Sequence, residues 1–301
     1  MAHTDYEPHH KKEIIMDTEK QYRAAPGLNY SNLSRFNQSQ DHCLIPFEHK
    51  SYFEFGHQFE QLLQDACTGS TTFSERFFIS EIDGTLSDDL IKMIDMKWDL
   101  TLEYKYNKDG SRSKTCKKKH AFLDAAIDHP GMIPVSKTDN EVLKIMVENM
   151  MNMEYLDMTV GELLSRAQWQ KSIYWETDEW VQKKCLVDCL VEIDGTNHPL
   201  DVKTAANFPR FYGNLSHGYW IQALHYAEGV QSLGKPAKPM VFLVASKEMP
   251  YLSKPVTIDW GDKYVEAVNK YRGICSRYSR WMESGNPAKG SLPFERKRIY
   301  I

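Results

Sequence analysis

The chain has 301 residues, of which 42% are hydrophobic and 12% aromatic, enough apolar material for one large core or two small ones. Its net charge of −4 excludes a uniformly basic nucleic-acid-binding protein, so any DNA-binding surface must be local. The sequence has no apolar run of the roughly 18 residues that a membrane-spanning helix needs, and its first residues lack a signal-like apolar stretch. The six cysteines are scattered, which favours a reducing, cytoplasmic setting.

Residues 1–16 are polar and predict a mobile tail. Ser31 is suited to the N-cap of a short helix, and Leu33 and Phe36 would then turn toward the interior. Arg35 on this helix is a candidate contact for a DNA phosphate, with a solvated surface charge as the alternative.

A longer helix is predicted from about residue 55, and Gly69 is suited to follow its end. Its apolar positions recur at helical spacing, at Phe55, Phe59, Leu62, Leu63 and Ala66. Glu60 lies one turn after Gly56, whose missing side chain leaves room over the face of the acid. From the periodicity alone, an exposed helical glutamate is an open interpretation for Glu60.

The stretch from Lys105 to Lys119 is locally basic, with seven Lys or Arg residues against the acid Asp109. Cations that reach phosphates suffice for nucleic-acid contacts that do not read sequence, so this stretch is a candidate DNA track. The candidate contacts are Lys114, Lys117, Lys118 and Lys119. A solvated loop is the equal alternative, because the stretch is also rich in turn formers.

Residues 70–135 mix loops with short β-prone runs at Phe77–Ile79 and Trp98–Tyr106. Thr138–Glu141 has the pattern of a capping box that opens a helix. Methionines at helical spacing on that helix favour core packing over a partner groove. The predicted stripe consists of Val142, Ile145, Met146, Met150 and Met153.

Two apolar runs around Asp194-Gly195 predict an antiparallel hairpin, with a connection longer than two residues. Side chains alternate along a strand, so Asp201 and Lys203 emerge on one face. Antiparallel pairing of the two runs would bring Asp188 beside them. These three residues are the centre of the functional prediction.

Two carboxylates and a lysine on an otherwise apolar hairpin are costly to bury unless they are paired or hold a cation. Carboxylate oxygens suit Mg²⁺, which takes a few protein ligands, several waters and substrate phosphate oxygens. A lysine beside such a cation can position or help to deprotonate an attacking water. The pattern therefore favours metal-assisted phosphodiester hydrolysis.

A helix from about His217 to Val230 would place Gln222 and Tyr226 one turn apart on one side. Packed beside the hairpin, Gln222 would orient the lysine or a phosphate oxygen, and Tyr226 would support it. Buried hydrogen bonding within the core is the alternative for both residues.

The remaining segments predict a sheet covered on both faces. Ser172–Glu176 is interpreted as the first strand of the central sheet, and Met240–Ala245 as a continuous buried strand. Pro255–Trp260 would add an edge strand. The final helix, about Asp262–Glu283, is expected to pack on its own domain, with packing against a neighbouring subunit as the alternative.

The ordered set of motifs resembles the PD-(D/E)XK nuclease superfamily, and within it the exonuclease domain of the RecE-like family. An acid, any residue and a lysine form a weak pattern that recurs elsewhere in the chain, whereas the ordered set, covering about residues 17–260, is specific. The matching stretches are Ser172–Glu176, Asp188, Asp201–Thr204, Gln222 with Tyr226, Val241–Ser246 and the upstream residues 21–36 and 55–63.

The resemblance implies an α/β fold of the restriction-endonuclease-like kind, a mixed central sheet flanked by helices. It implies a single nuclease domain over residues 17–301, with core motifs at 55–63 and 172–246. Cys185 and Cys189 are expected on the strand face opposite Asp188, as core thiols. No iron–sulfur cluster is predicted, because the chain lacks four clustered cysteines.

The resemblance also implies a metal site of two Mg²⁺ or Mn²⁺ ions. Asp201 would bridge them, with Asp188, Glu60 and the Val202 carbonyl completing the ligands. The family carries a histidine, in a Gly-x-x-x-His motif, where this chain has Glu60. Glutamate is an equally natural ligand for a hard cation.

In the implied mechanism, Lys203 positions or activates the water, Gln222 holds Lys203 or the phosphate, and Tyr226 supports them. RecE-like enzymes degrade linear double-stranded DNA 5′→3′ and leave 3′ overhangs for a RecT-type annealing protein in recombination. They form rings, so a homo-oligomer is expected, with a tetramer as the expected form. A phage or prophage origin in a bacterial cytoplasm would fit.

Two alternatives stay open. The chain could be another nuclease of the same fold, an endonuclease or a single-strand-specific enzyme. It could also be a non-catalytic DNA-binding protein, which the exchange of the family histidine for Glu60 would favour and the intact acids and lysine oppose.

Overall fold

The computed structural model describes residues 19–45, 51–80, 93–94, 97, 99–177 and 181–285. The predicted tail over residues 1–16 lies outside these ranges. Among the described helices, none is long and apolar enough to cross a membrane.

A five-stranded mixed sheet forms the centre of the molecule, in the order β5-β6-β7-β8-β9. Its strands are β5 (Gln168–Glu176), β6 (Gln182–Ile193), β7 (Thr196–Ala205), β8 (Val241–Ser246) and β9 (Ser253–Thr257). Strands β7 and β8 pair in parallel, and the other neighbours pair antiparallel. Two small sheets precede it: β1 (Phe77–Ser80) with β2 (Ile133–Ser136), and β3 (Glu154–Tyr155) with β4 (Met158–Thr159).

Ten α-helices are described along the chain. They are α1 (Glu19–Ala24), α2 (Tyr30–Gln38), α3 (Ser51–Thr68), α4 (Thr72–Arg76), α5 (Lys117–Asp128), α6 (Lys137–Met151), α7 (Val160–Leu164), α8 (Phe208–Asn214), α9 (Trp220–Gln231) and α10 (Tyr264–Glu283).

Helices cover both faces of the central sheet, which confirms the predicted architecture of a mixed sheet flanked by helices. On one face, α3, α6 and α7 pack against Val191, Val202 and Leu243. On the other face, α9 packs against Val187 and Val244. A third apolar cluster joins α2, α9 and α10. Strands β6, β7 and β8 therefore lie between two helical layers.

The hairpin connection between β6 and β7 is shorter than expected. Asp194 and Gly195 alone form it, with φ angles of 49° and 73°. Two successive positive φ angles are typical of a type I′ turn, whose twist matches that of paired strands. The prediction of a longer connection was wrong because an aspartate in the left-handed region was not anticipated.

The alternation of side chains along β6 is interrupted at Asp188. Cys189 packs with Val202 in the cluster under α3, whereas Cys185 and Val187 pack in the cluster under α9. The expectation that Cys185 faces away from Asp188 was therefore wrong, and that for Cys189 was right.

Two helices have their N-caps two residues before the predicted positions. Asn29, not Ser31, caps α2, and its side chain accepts from the amide of Asn32. Ser136 caps α6 in the same way, two residues before the predicted box. Leu33 and Phe36 are buried as predicted.

Two further expectations were wrong. Ile145 is 43% exposed, so the buried stripe of α6 runs instead through Leu143, Met146, Val147 and Met150. The β-prone run ending at Tyr106 forms a 3₁₀ turn, Leu100–Glu103, rather than a strand, and Trp98 lies outside the described residues.

Candidate active site

The hairpin of β6 and β7 separates at the position of Asp188. The backbone pairing of β6 with β7 extends from the pair Ile193 and Thr196 to the pair Cys189 and Leu200. Beyond that point the amide of Val202 donates to Asp188 Oδ2, at 3.0 Å, instead of to the β6 backbone. The Asp188 carboxylate thus takes the place of a backbone hydrogen bond between the two strands. This bond fixes Asp188 against β7.

Lys203 lies between the two carboxylates. Its ammonium makes an ion pair with Asp201 Oδ2 and lies 3.9 Å from Asp188 Oδ2. Nζ is also 3.4 Å from the carbonyl oxygen of Val202. The side chain of Asp201 is 1% exposed, against 16% for Asp188 and 23% for Lys203. The cluster therefore opens to solvent at Lys203 and Asp188.

Helix α9 forms the buried side of the cluster. Gln222 Nε2 donates to Asp201 Oδ1 at 2.6 Å, and Gln222 is 3% exposed. Gln222 thus binds the buried Asp201, whereas the sequence predicted that it would bind Lys203 or a phosphate. Tyr226, one turn later, is buried, and burial raises the pKa of its phenol, with Asp201 and Asp188 adding to the effect.

The charges in the cluster depend strongly on one another. Burial raises the pKa of Asp201 to about 7, Lys203 opposes this shift and Asp188 adds to it. Burial also raises the pKa of Asp188. Burial alone would lower the pKa of Lys203, but Asp201 and Asp188 together outweigh it and raise that pKa. Lys203 is therefore an ammonium at neutral pH.

Glu60 lies on α3, close to the same strands but with another partner. Its carboxylate accepts a hydrogen bond from Gln170 Nε2 of β5. The buried thiol of Cys189, whose pKa burial raises, also feels the charges of Asp188 and Glu60. Within the described ranges, no three His, Cys, Asp or Glu side chains form a metal-binding group. Glu60 is thus near the aspartates without being assembled with them.

The oxygen donors present nonetheless fit a hard divalent cation. Asp188, Asp201 and the Val202 carbonyl supply carboxylate and carbonyl oxygens, the ligand types that Mg²⁺ and Mn²⁺ prefer. Asp188 reaches solvent, while Asp201 Oδ2 contacts the Lys203 ammonium. A cation that binds both aspartates must compete with this ammonium for Asp201.

The predicted DNA contacts have differing surroundings. Arg35 donates from its guanidinium to the carbonyls of His42 and Ile45, so the loop after α2 already engages it. Lys114 and Lys117 are exposed, in a 3₁₀ turn and at the start of α5.

Part of the basic stretch is paired within the chain. Lys119 makes an ion pair with Glu103 at 3.0 Å, and Arg112 makes one with Asp124 at 2.8 Å. The side chain of Lys118 lies outside the described residues.

Two tyrosines beside the cluster were missed by the sequence analysis. The ring centroid of Tyr219 lies 5.9 Å from Lys203 Nζ. Tyr30, on α2, is close enough for its pKa, raised to about 12 by burial, to respond to Tyr219, Lys203 and Asp201. Tyr219 lies three residues before Gln222, and this helical spacing is a signal that could have pointed to it.

Comparison with known proteins identifies a solved structure with a similar fold. No family model and no curated protein matches the chain. Among solved structures, the chain is similar to a "putative exonuclease" from Eubacterium rectale, with a TM-score of 0.54 and 14% sequence identity. The match covers 91% of this chain and 89% of that one.

The two chains share a fold. At 14% identity the similarity shows the architecture alone.

Proposed function

We propose that the chain is a metal-dependent deoxyribonuclease of the PD-(D/E)XK kind. The observation that supports this most is the convergence of Asp188, Asp201 and Lys203 on one hairpin, with Gln222 bound to the buried aspartate. The fold shared with the Eubacterium rectale protein is compatible with the proposal. The resemblance to RecE-like exonucleases supports the substrate and direction: linear double-stranded DNA, degraded 5′→3′ to leave 3′ overhangs.

The proposal gives each residue of the cluster a role. Asp188, Asp201 and the Val202 carbonyl would hold one or two Mg²⁺ or Mn²⁺ ions, with Glu60 as a further ligand. A bound divalent cation lowers the pKa of water and stabilises charge on a phosphate. Lys203 would position a water or a phosphate oxygen, or help to activate that water.

Gln222 and Tyr226 would act through Asp201. The amide of Gln222 fixes one carboxylate oxygen and leaves the other toward Lys203. Tyr226 fills the space under the strands. Both residues would be positioning residues, because neither reaches solvent.

The proposed setting also follows the resemblance. We expect a ring-shaped homo-oligomer, with a tetramer as the first form to test, that loads on double-stranded DNA ends. A RecT-type annealing protein would receive the overhang, in the cytoplasm of a bacterial host, with the chain encoded by a phage or prophage. Lys114, Lys117, Lys118 and Lys119, with Arg35, stay candidate phosphate contacts.

The test is a cleavage assay on four DNA substrates. Linear duplex labelled at the 5′ or at the 3′ end, closed circular duplex and single strands are incubated with Mg²⁺, Mn²⁺ or EDTA. A 5′→3′ exonuclease releases mononucleotides from the 5′ label first, spares the circle and stops in EDTA.

Each other outcome points to a different function. Cleavage of the circle would indicate an endonuclease, and cleavage of single strands alone a single-strand-specific enzyme. DNA binding with no hydrolysis in either metal would indicate a non-catalytic DNA-binding protein. Hydrolysis that continues in EDTA would contradict the metal-dependent proposal.

A further inference from the structure

The connection between β7 and α9 positions an aromatic ring beside Lys203. After α8, residues Leu215–Tyr219 form a π-helical turn that ends where α9 begins. Such turns are rare and often occur at functional sites. Gly218 within it packs closely on α2: a Cβ there would lie 3.1 Å from Ser34 Oγ and 3.4 Å from the Tyr30 hydroxyl. The turn therefore has little freedom to shift.

Two phenylalanines hold the Tyr219 ring. Its centroid is 5.4 Å from that of Phe211 and 5.5 Å from that of Phe242. Phe242 is the β8 residue paired with Asp201 in the parallel register. The ring is therefore fixed relative to the strand that carries Asp201 and Lys203.

The fixed ring meets the ammonium of Lys203. Nζ lies 5.9 Å from the ring centroid, within the about 6 Å over which an aromatic face attracts a cation. The two aspartates contact the same ammonium. The Lys203 ammonium thus contacts both carboxylates and an aromatic ring. Its side chain is 23% exposed, so a substrate can reach it.

We propose that Tyr219 is a positioning residue for Lys203, whose aromatic face holds the ammonium at the carboxylates and directs it toward the scissile phosphate. The inference rests on the proposed nuclease function. The ring, rather than the hydroxyl group, carries the effect, because the contact is to the face of the ring.

The test compares Tyr219→Phe, which keeps the ring, with Tyr219→Leu, which removes it. Tyr264→Leu is the matched control, because Tyr264 is 49% exposed at the start of α10. Cleavage of linear duplex is measured as kcat and KM, and folding is checked by thermal denaturation. We expect Tyr219→Leu to lower kcat roughly tenfold, equivalent to about 1.4 kcal/mol, with KM little changed. Tyr219→Phe and Tyr264→Leu should keep the wild-type kcat.

A second measurement does not depend on nuclease activity. The rate at which an N-hydroxysuccinimide ester acylates Lys203 is followed by peptide mass spectrometry in each variant. Loss of the ring should raise this rate several-fold in Tyr219→Leu alone.

The outcomes separate the two proposals. A wild-type protein without cleavage would contradict the nuclease function, and the acylation rates would still test the ring. Wild-type kcat and acylation in Tyr219→Leu would overturn the positioning role. An equal loss of kcat in Tyr219→Phe would overturn the ring as its basis.

Discussion

Two clusters that each pair a lysine with acids lie on or beside strand β6, and they differ in how completely their polar atoms are matched. In the first, Lys203 contacts Asp201 and lies 3.9 Å from Asp188. In the second, Lys183 Nζ is 3.1 and 2.8 Å from the two carboxylate oxygens of Glu228.

The second cluster is closed. Lys183 also donates to the Tyr271 hydroxyl at 3.2 Å, and that hydroxyl donates to Glu228 at 2.6 Å. His225 adds contacts of 2.9 Å to Tyr271 and to the carbonyl of Lys184. Lys183 is 3% exposed, so no substrate reaches it. This network joins β6, α9 and α10 and has a stabilising role.

The first cluster is incompletely hydrogen-bonded and open to solvent. Gln222 Oε1 is buried without a hydrogen-bond partner among the described residues. Asp188 and Lys203 both reach solvent. A matched, closed network stabilises a fold, whereas an unmatched one with an opening retains donors and acceptors for a ligand.

The largest expected effect is the loss of cleavage in Lys203→Ala. Without the ammonium, neither water nor phosphate is oriented, and we expect a reduction of about 10³-fold in kcat with DNA binding retained. Lys183→Ala serves as the comparison, since it removes the lysine of the closed cluster. Near-normal turnover in Lys203→Ala would remove this lysine from the mechanism.

The next prediction concerns the pH dependence of the closed cluster. Burial lowers the pKa of His225 to about 4, with Lys183 adding to the shift and the Lys184 carbonyl and Glu228 opposing it. Below pH 6.5 the unfolded chain takes up a proton that the folded chain refuses, so stability is lost from about pH 6.5 down to about 4.

Urea denaturation at pH 7 and pH 5 measures this effect. Between these values the free energy of unfolding should fall about 2 kcal/mol more in the wild type than in His225→Gln. If the free energy of unfolding fell equally in the two proteins between pH 7 and pH 5, the pKa of His225 would not differ between the folded and unfolded states.

Removal of Lys183 should destabilise without directly touching the candidate site. Breaking a wholly buried pair costs about 3–5 kcal/mol. Glu228 is 33% exposed and can regain water, so we expect roughly 2 kcal/mol for Lys183→Met. Urea denaturation of Lys183→Met and of the wild type measures this loss. An unchanged free energy of unfolding would remove the stabilising role from the closed cluster.

The smallest effect is expected from Glu60→Gln. Its carboxylate accepts a hydrogen bond from Gln170, so loss of a contribution to the metal site should appear as a few-fold higher Mg²⁺ requirement. Titration of cleavage with Mg²⁺ measures it. Identical titration curves for variant and wild type would leave Glu60 as a structural contact to β5.

The sequence allowed the sheet and most of the first cluster to be predicted, because both depend on local periodicity. Alternation along a strand placed Asp201 with Lys203, and helical spacing placed Gln222 with Tyr226. The chemistry assigned to these residues stays a prediction.

The remaining features depend on contacts between distant segments. The alternation of side chains along β6 is interrupted at Asp188, which accepts a hydrogen bond from the Val202 amide of β7. The periodicity of apolar residues in the sequence does not predict this hydrogen bond. The partners of Glu60 and Arg35 depend on how α3 and the loop after α2 lie against the rest of the chain. Such contacts need the three-dimensional arrangement.

The separation of β6 from β7 leaves part of the β6 edge without its neighbour, and a segment before α2 covers it. The Leu28 amide donates to the Gln182 carbonyl, and the Lys184 amide donates to the Leu28 carbonyl, each at 2.9 Å. Lys184 Nζ also donates to the carbonyls of Tyr22 and Ala25. Recombinant versions that start after Leu28 would present a bare strand edge, which favours edge-to-edge self-association. Recombinant forms of this protein should therefore retain the residues from α1 onward.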